Sequence, residues 1–173
     1  MTDYDITALI LTEHDGFRRQ FAQLRDSSDP DELAAQWNDL ADRLKVHASG
    51  EEAVFYPRLL RQVPAEKDDT VHAVHDHNKI RTAVQEVARH EVGTEAWWQA
   101  VAAVQEENSE HMEEEEHDML ATFRDEADSS LREEIGLAWL KFHEEHAHAR
   151  GLSGRPKDPE QYVEQVSGEP ADK

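Results

Sequence analysis

The feature that most narrows the fold of this chain is an internal repeat of two helical hairpins. HASGEEAVFYP at 47–57 lies over HMEEEEHDMLA at 111–121 with an offset of 64, so that His47 falls on His111, Glu51 on Glu115, Glu52 on Glu116 and Phe55 on Met119. Upstream, LTEHDGFRRQFAQL at 11–24 lies over VHDHNKIRTAVQEV at 74–87 with an offset of 63, pairing Glu13 with Asp76, His14 with His77, Phe17 with Ile80 and Arg18 with Arg81. Four residues of α-helix turn through about 400°, which leaves the His and Glu of each His-x-x-x-Glu about 40° and about 6 Å apart on one face. Two hairpins related by a pseudo-twofold axis build an up-down four-helix bundle. They bring His14, His47, Glu51, His77, His111 and Glu115 to one level of its interior. Imidazoles and carboxylates concentrated in that way point to a metal site.

Apolar periodicity supports the same architecture. The first helix is expected from about Asp3 to Arg25, with Ile6, Ile10, His14, Phe17, Phe21 and Leu24 on its buried stripe. Asp29, Pro30 and Glu32 read as an N-cap, an N1 proline and a capping box opening the second helix. Its stripe runs Trp37, Leu40, Leu44, His47, Glu51 and Phe55, and Pro57 should kink or end it. Burying an unpaired carboxylate costs at least several kcal/mol, so Glu51 needs a partner. The third helix starts between Ala65 and Thr70 and continues to Val92, before Gly93. Thr94 caps the fourth, which carries Trp97, Val101, Val104, Asn108, His111, Glu115 and Met119, with Asn108 placed to hydrogen-bond behind the His111 ring. Ser130 and Glu133 suggest a capping box for a fifth helix that ends at Gly151 and packs across the bundle or against a second subunit. The predicted organisation is all-α, with a four-helix bundle over 1–127, an additional C-terminal helix over 128–151, and a largely disordered acidic tail over 152–173 with one helical turn at PEQYVEQV.

Composition removes several function classes. A formal net charge of -21 repels nucleic acid and anionic membrane surfaces, so neither is an expected partner. The absence of cysteine excludes disulfides, zinc thiolate sites and iron–sulfur clusters. No apolar run approaches the length of a membrane span, and MTDYDITALILTEHD lacks a basic leader, so the expected location is the cytoplasm, as a monomer or homodimer. Nitrogen and carboxylate donors without sulfur fit iron, manganese or zinc.

One His on the first helix, His-x-x-x-Glu followed by EEAVFYP on the second, one His on the third and His-x-x-x-Glu-Glu on the fourth resemble the hemerythrin-like, or HHE cation-binding, domains over roughly residues 3–125. The resemblance implies two iron ions, oxo- or hydroxo-bridged, with His14, His47, Glu51, His77, His111 and Glu115 as ligands. Glu116 stays open as an alternative bridge to Glu115. Oxygen-carrying hemerythrins have a further His one turn before the third-helix ligand, where this chain has Ala73. The fewer protein donors imply open positions on both irons, and with them a centre that binds or reacts with O2, peroxide or nitric oxide, peroxide consumption or oxidase-type turnover included. A sensor or iron store is the alternative from another class. A ferritin-like site built on Glu114 with His117 and Glu145 with His148 is the weaker third reading. Glu52 and Glu116 are expected to be solvated or to back the ligands, and Arg18 and Arg81 to make surface ion pairs. His72, His75, His90 and His117 should lie on the surface, and His143, His146 and His148 at a solvated helix end. Tyr56 falls about 180° from His47 on the helical wheel and points away unless the Pro57 kink turns it inward.

Overall fold

The computed structural model describes residues 4–168. Helix α1 spans Ile6–Leu24 and α2 Pro30–Gly50; α3 (Tyr56–Gln62) extends α2 beyond a wide turn, and α4 covers Lys67–Val87. Helix α5 (Glu95–His117) continues into α6 (Met119–Glu126), followed by α7 (Ser129–Glu145) and α8 (Pro159–Gly168). The bundle is a ring in which α1 neighbours α2 and α5, and α4 neighbours α2 and α5. No strand occurs among the described residues, and no helix there is long and apolar enough to cross a membrane.

The caps follow local chemistry. Asp29 accepts from Asp31 N at 2.8 Å and Glu32 N at 3.2 Å, and Thr94 Oγ1 from Trp97 N at 3.3 Å, as the sequence suggests. Glu32 turns to Ser27 Oγ at 2.7 Å instead of closing the box on Asp29. Helix α1 starts after Asp5, which accepts from Thr7 N and is clamped by Arg132 Nε at 2.8 Å; the expected start at Asp3 lies outside the described residues. Asp128, not Ser130, caps α7 through Leu131 N at 2.8 Å, a charged acceptor at the positive end of the helix. Helix α4 ends at Val87, short of Val92, because Arg89 N and His90 N close tighter bonds three residues back, to Glu86 O and Val87 O.

Pro57 does more than kink. It has no N–H to give to the preceding turn, and residues Glu51–Phe55 form a π-helical turn in which Tyr56 N bonds Glu51 O, five residues back. That turn takes in one extra residue without adding a turn, so the wheel that put Glu52 and Tyr56 off the buried face fails here. Both are buried. In the other half the corresponding break is a local distortion at Asp118 (φ -106°, ψ -79°), between α5 and α6.

Two apolar clusters result, one on each side of a polar layer. Phe17, Phe21, Leu40, Trp37, Trp97 and Val104 fill one end. Ile6, Phe55, Leu59, Val74, Phe123 and Trp139 fill the other. Helix α7 packs on α1, close enough that a Cβ on Gly136 would collide with the carbonyl of Tyr4. The C-terminal segment departs from the expected disorder. Asn78 exchanges two hydrogen bonds with the Lys157 backbone, at 2.7 and 2.9 Å, and α8 lies on α3 and α4. Val163 is fully buried, and Tyr162 OH donates to Glu52 O at 2.6 Å. An amphipathic turn with two large apolar residues found a groove, which composition alone does not disclose. Residues 169–173 of the predicted tail lie outside the described residues. Val163→Ala should lower stability by about 2 kcal/mol, a fall in melting temperature of about 4–8 °C by scanning calorimetry. Gly136→Ala should cost about 1–3 kcal/mol through overpacking.

Candidate metal centre

All six residues singled out by the repeat meet in the polar layer between the two apolar clusters, and none is more than 3% exposed. His14 and His47 approach through their Nε2 atoms at 3.1 Å, and so do His77 and His111. Glu51 lies between the pairs, with Oε1 2.9 Å from His47 Nε2 and Oε2 3.0 Å from His77 Nε2. Glu115 Oε2 is 3.4 Å from His14 Nε2 and 4.0 Å from His111 Nε2. Donor atoms of His14, His47, Glu51 and Glu115 form one group able to hold a metal ion, and those of Glu51, His77 and His111 a second, with Glu51 common to both.

The outward ring nitrogens fix the chemistry of the inward ones. His14 Nδ1 is 2.8 Å from Glu116 Oε1, His47 Nδ1 2.8 Å from Glu13 Oε2, and His77 Nδ1 2.8 Å from Glu52 Oε1. A carboxylate accepts, so each of these Nδ1 atoms is the donor and each Nε2 faces inward with a lone pair or a second proton. Two Nε2 atoms 3.1 Å apart cannot both aim a proton along the line between them, so protons there must turn to Glu51 or Glu115. A cation that both nitrogens face would take the place of those protons. Glu51 Oε1 and both oxygens of Glu115 are buried and accept no well-aligned hydrogen bond among the described residues. Orphaned acceptors converging on facing imidazoles fit a cation, and the donor set is the nitrogen and oxygen set of iron, manganese or zinc.

Burial opposes the charged form of His77, but Glu51 and Glu52 outweigh it and hold its pKa up at about 9. Burial likewise works against His47, and Glu51 and Glu13 raise it well above the ordinary value; His14 is raised in the same way by Glu115 and Glu116. Glu52 is pushed up by burial and brought down to about 2 by His77, Arg81 and Lys157. Cation uptake must therefore displace protons from the cluster.

The backing carboxylates are themselves held. Arg18 Nη2 donates to Glu116 Oε1 at 2.8 Å, and Arg81 Nη2 to Glu52 Oε1 at 2.8 Å, so the repeated arginines support the repeated His residues. Arg18 is partly exposed, whereas Arg81 is buried and not the surface residue expected. Asn108 also departs from expectation, its amide turned to Met112 Sδ at 3.4 Å. Glu116 stands behind His14 while Glu115 faces inward. Tyr56 is brought in by the π-helical turn, stacked on His77 at 5.8 Å, with its hydroxyl 3.5 Å from Glu51 Oε2.

Helix α7 adds a flank that sequence reasoning missed. Trp139 Nε1 donates to Glu13 Oε1 at 2.9 Å, and its ring meets His47 edge-on at 5.6 Å. His143, expected at a solvated end, places Nε2 3.1 Å from Glu13 Oε1. The alignment of Glu13 with Asp76 was the available signal, but nothing in the sequence assigned Glu13 to His47 on another helix. Its repeat partner has diverged, since Asp76 pairs with Lys79 Nζ at 2.8 Å and lies 3.6 Å from His72 Nε2. Glu13→Ala should weaken binding of Co²⁺ by about 10–100-fold, measured by competition with a chelator.

Residues 5–123, from the N-cap of α1 into α6, match the hemerythrin HHE cation-binding domain. Neither the curated proteins nor the solved structures gave a match. With a match across most of its length and a buried His and Glu cluster in the layer where a cation would sit, the chain belongs to the hemerythrin HHE cation-binding domain family.

Proposed function

We propose that the chain is a non-haem di-iron protein that binds or reacts with O2, peroxide or nitric oxide, with His14, His47, Glu51, His77, His111 and Glu115 holding the two ions. The observation that carries this reading is the position of Glu51, whose two oxygens face different His pairs at 2.9 and 3.0 Å. A carboxylate placed in that way suits a bridge between two cations better than a ligand to one. Iron there would supply one-electron redox chemistry and a position open to a small ligand.

The chain's own residues set the conditions. Glu13, Glu52 and Glu116 hold three imidazoles in one tautomer, which keeps their Nε2 atoms turned inward. Phe17 and Phe55 are fully buried on the two sides of the layer and exclude bulk water. Ala73 is buried and adds no donor atom to the centre. A cavity of about 280 Å³ touches His77 and is lined by Leu44, Ile80 and Val84 together with Lys45 and Arg81, a setting for a small neutral or anionic ligand.

A second reading, a sensor or iron store using the same site, is favoured by the attachment of the C-terminal segment to the centre. Lys157 Nζ lies 2.6 Å from Glu52 Oε2 and Tyr162 OH 2.6 Å from Glu52 O, so the residue behind His77 also holds α8. Metal content and near-ultraviolet spectra, before and after azide and peroxide, test the first reading. About two irons per chain are expected from the site's two ligand groups, with bands lost in the His47→Ala and His111→Ala variants. Retention of the bands in both variants would overturn the site. Catalytic loss of peroxide favours reaction over sensing, whereas proteolysis of α8 that changes with iron loading and no turnover favours the sensor. Iron at 100 times its Kd should stabilise the fold by about 2.7 kcal/mol.

A further inference from the structure

We propose that His72, Asp76 and Glu114 form a capture site for a divalent cation, at the outer end of the route by which the metal centre is loaded; this rests on the centre binding metal as proposed above. His72 Nε2 lies 3.3 Å from Glu114 Oε2 and 3.6 Å from Asp76 Oδ2, and donor atoms of the three lie within 4.8 Å of one another. His72 and Glu114 are exposed while Asp76 is buried, so the group reaches from solvent into the bundle. Lys79 Nζ sits on Asp76 Oδ1 and leaves Oδ2 to the cluster.

An imidazole between two carboxylates is by itself an ordinary ion pair. The difference lies beneath it. His72, Asp76 and Glu114 line a cavity of about 30 Å³ whose wall also includes His111 and Glu115. Glu115 is fully buried and neither of its oxygens accepts a well-aligned hydrogen bond among the described residues, the nearest imidazole being His14 Nε2 at 3.4 Å from Oε2. The cavity is large enough for a water or an ion, and its two ends are ligand groups. Ala73 lines it as well, and a larger side chain there would fill it.

The local field favours cations. Asp69 and Asp118 line the same cavity, which has no lysine or arginine in its wall among the described residues. Burial, with Asp69 and Asp118 beside it, holds the neighbouring Glu66 carboxyl above its ordinary value. By contrast, the cavity that touches His77 carries Lys45 and Arg81 beside a single carboxylate, Asp42, and lacks the cluster of carboxylates that would draw a cation. The two approaches to the centre thus differ in charge, one rich in carboxylates and suited to metal, the other mixed and largely apolar and suited to an uncharged or anionic ligand.

The test is stopped-flow mixing of the metal-free full chain with Co²⁺ at low ionic strength, following the ligand-field absorption. The His72→Ala, Glu114→Gln double variant should load about tenfold more slowly and reach the same final Co²⁺ content as the unaltered chain. A control, His90→Ala with Glu95→Gln at the far end of the bundle, removes the same groups and should load at the original rate. Equal rates in the double variant and the unaltered chain would overturn the capture site, as would equal slowing in the control. Failure of the unaltered chain to take up Co²⁺ at any rate would instead remove the metal centre, and the capture site with it.

Discussion

The structure depends on an unfavourable contact. Imidazole nitrogens face one another at 3.1 Å across the middle of the bundle, beside the carboxylates of Glu51 and Glu115. Removing such groups from water is costly unless something positive lies among them. Protons can serve, as the raised pKa of His77 at about 9 indicates, and so can a metal cation. The rest of the molecule is arranged to keep that contact in place. Two apolar clusters close on it from either end, and the backing carboxylates keep the imidazoles from rotating away.

Much of this was legible in the chain itself because the repeat states it twice. A His-x-x-x-Glu at constant register in two helices, each preceded by a lone His, leaves few arrangements that bury all six groups at one level. The structure brings those six together, and the helix order and the caps at Asp29 and Thr94 agree with the local signals. What escaped the sequence has physical reasons. The helical wheel assumes a fixed rise and rotation, and the π-helical turn at Glu51–Phe55 breaks that assumption where it matters, at Glu52 and Tyr56. Glu13, Trp139 and His143 act across helices, and periodicity along one helix carries no information about which neighbour a side chain meets. A helical turn at PEQYVEQV was legible, but the docking of α8 was hidden by a charged, proline-containing context, although Tyr162 and Val163 are the apolar pair that seats it.

The two halves of the repeat are no longer equivalent. On the His47 flank, Glu13 is enclosed by Trp139 and His143 from α7. On the other, the corresponding Asp76 has turned toward Lys79 and His72, at the edge of an acidic cavity. Pseudo-symmetry accounts for the buried His and Glu cluster, and its loss accounts for a cluster with one side covered by α7 and the other bordering a cavity. Family membership explains why the bundle holds a cation-binding cluster at all; the asymmetry is written in residues outside the repeated motif.

The clasp on Glu52 ties the centre to the direction of synthesis. The four-helix bundle is complete at Glu126, yet Trp139 and His143, which hold Glu13, follow later in the chain, and Lys157 and Tyr162, which hold Glu52, come later still. Synthesis delivers the four helices first, then the α7 residues that complete the His47 flank, and last Tyr162, whose contact with Glu52 spans 110 residues of sequence. The six residues of the cluster and the carboxylates behind its imidazoles are made before the side chains of α7 and α8 that hold two of those carboxylates.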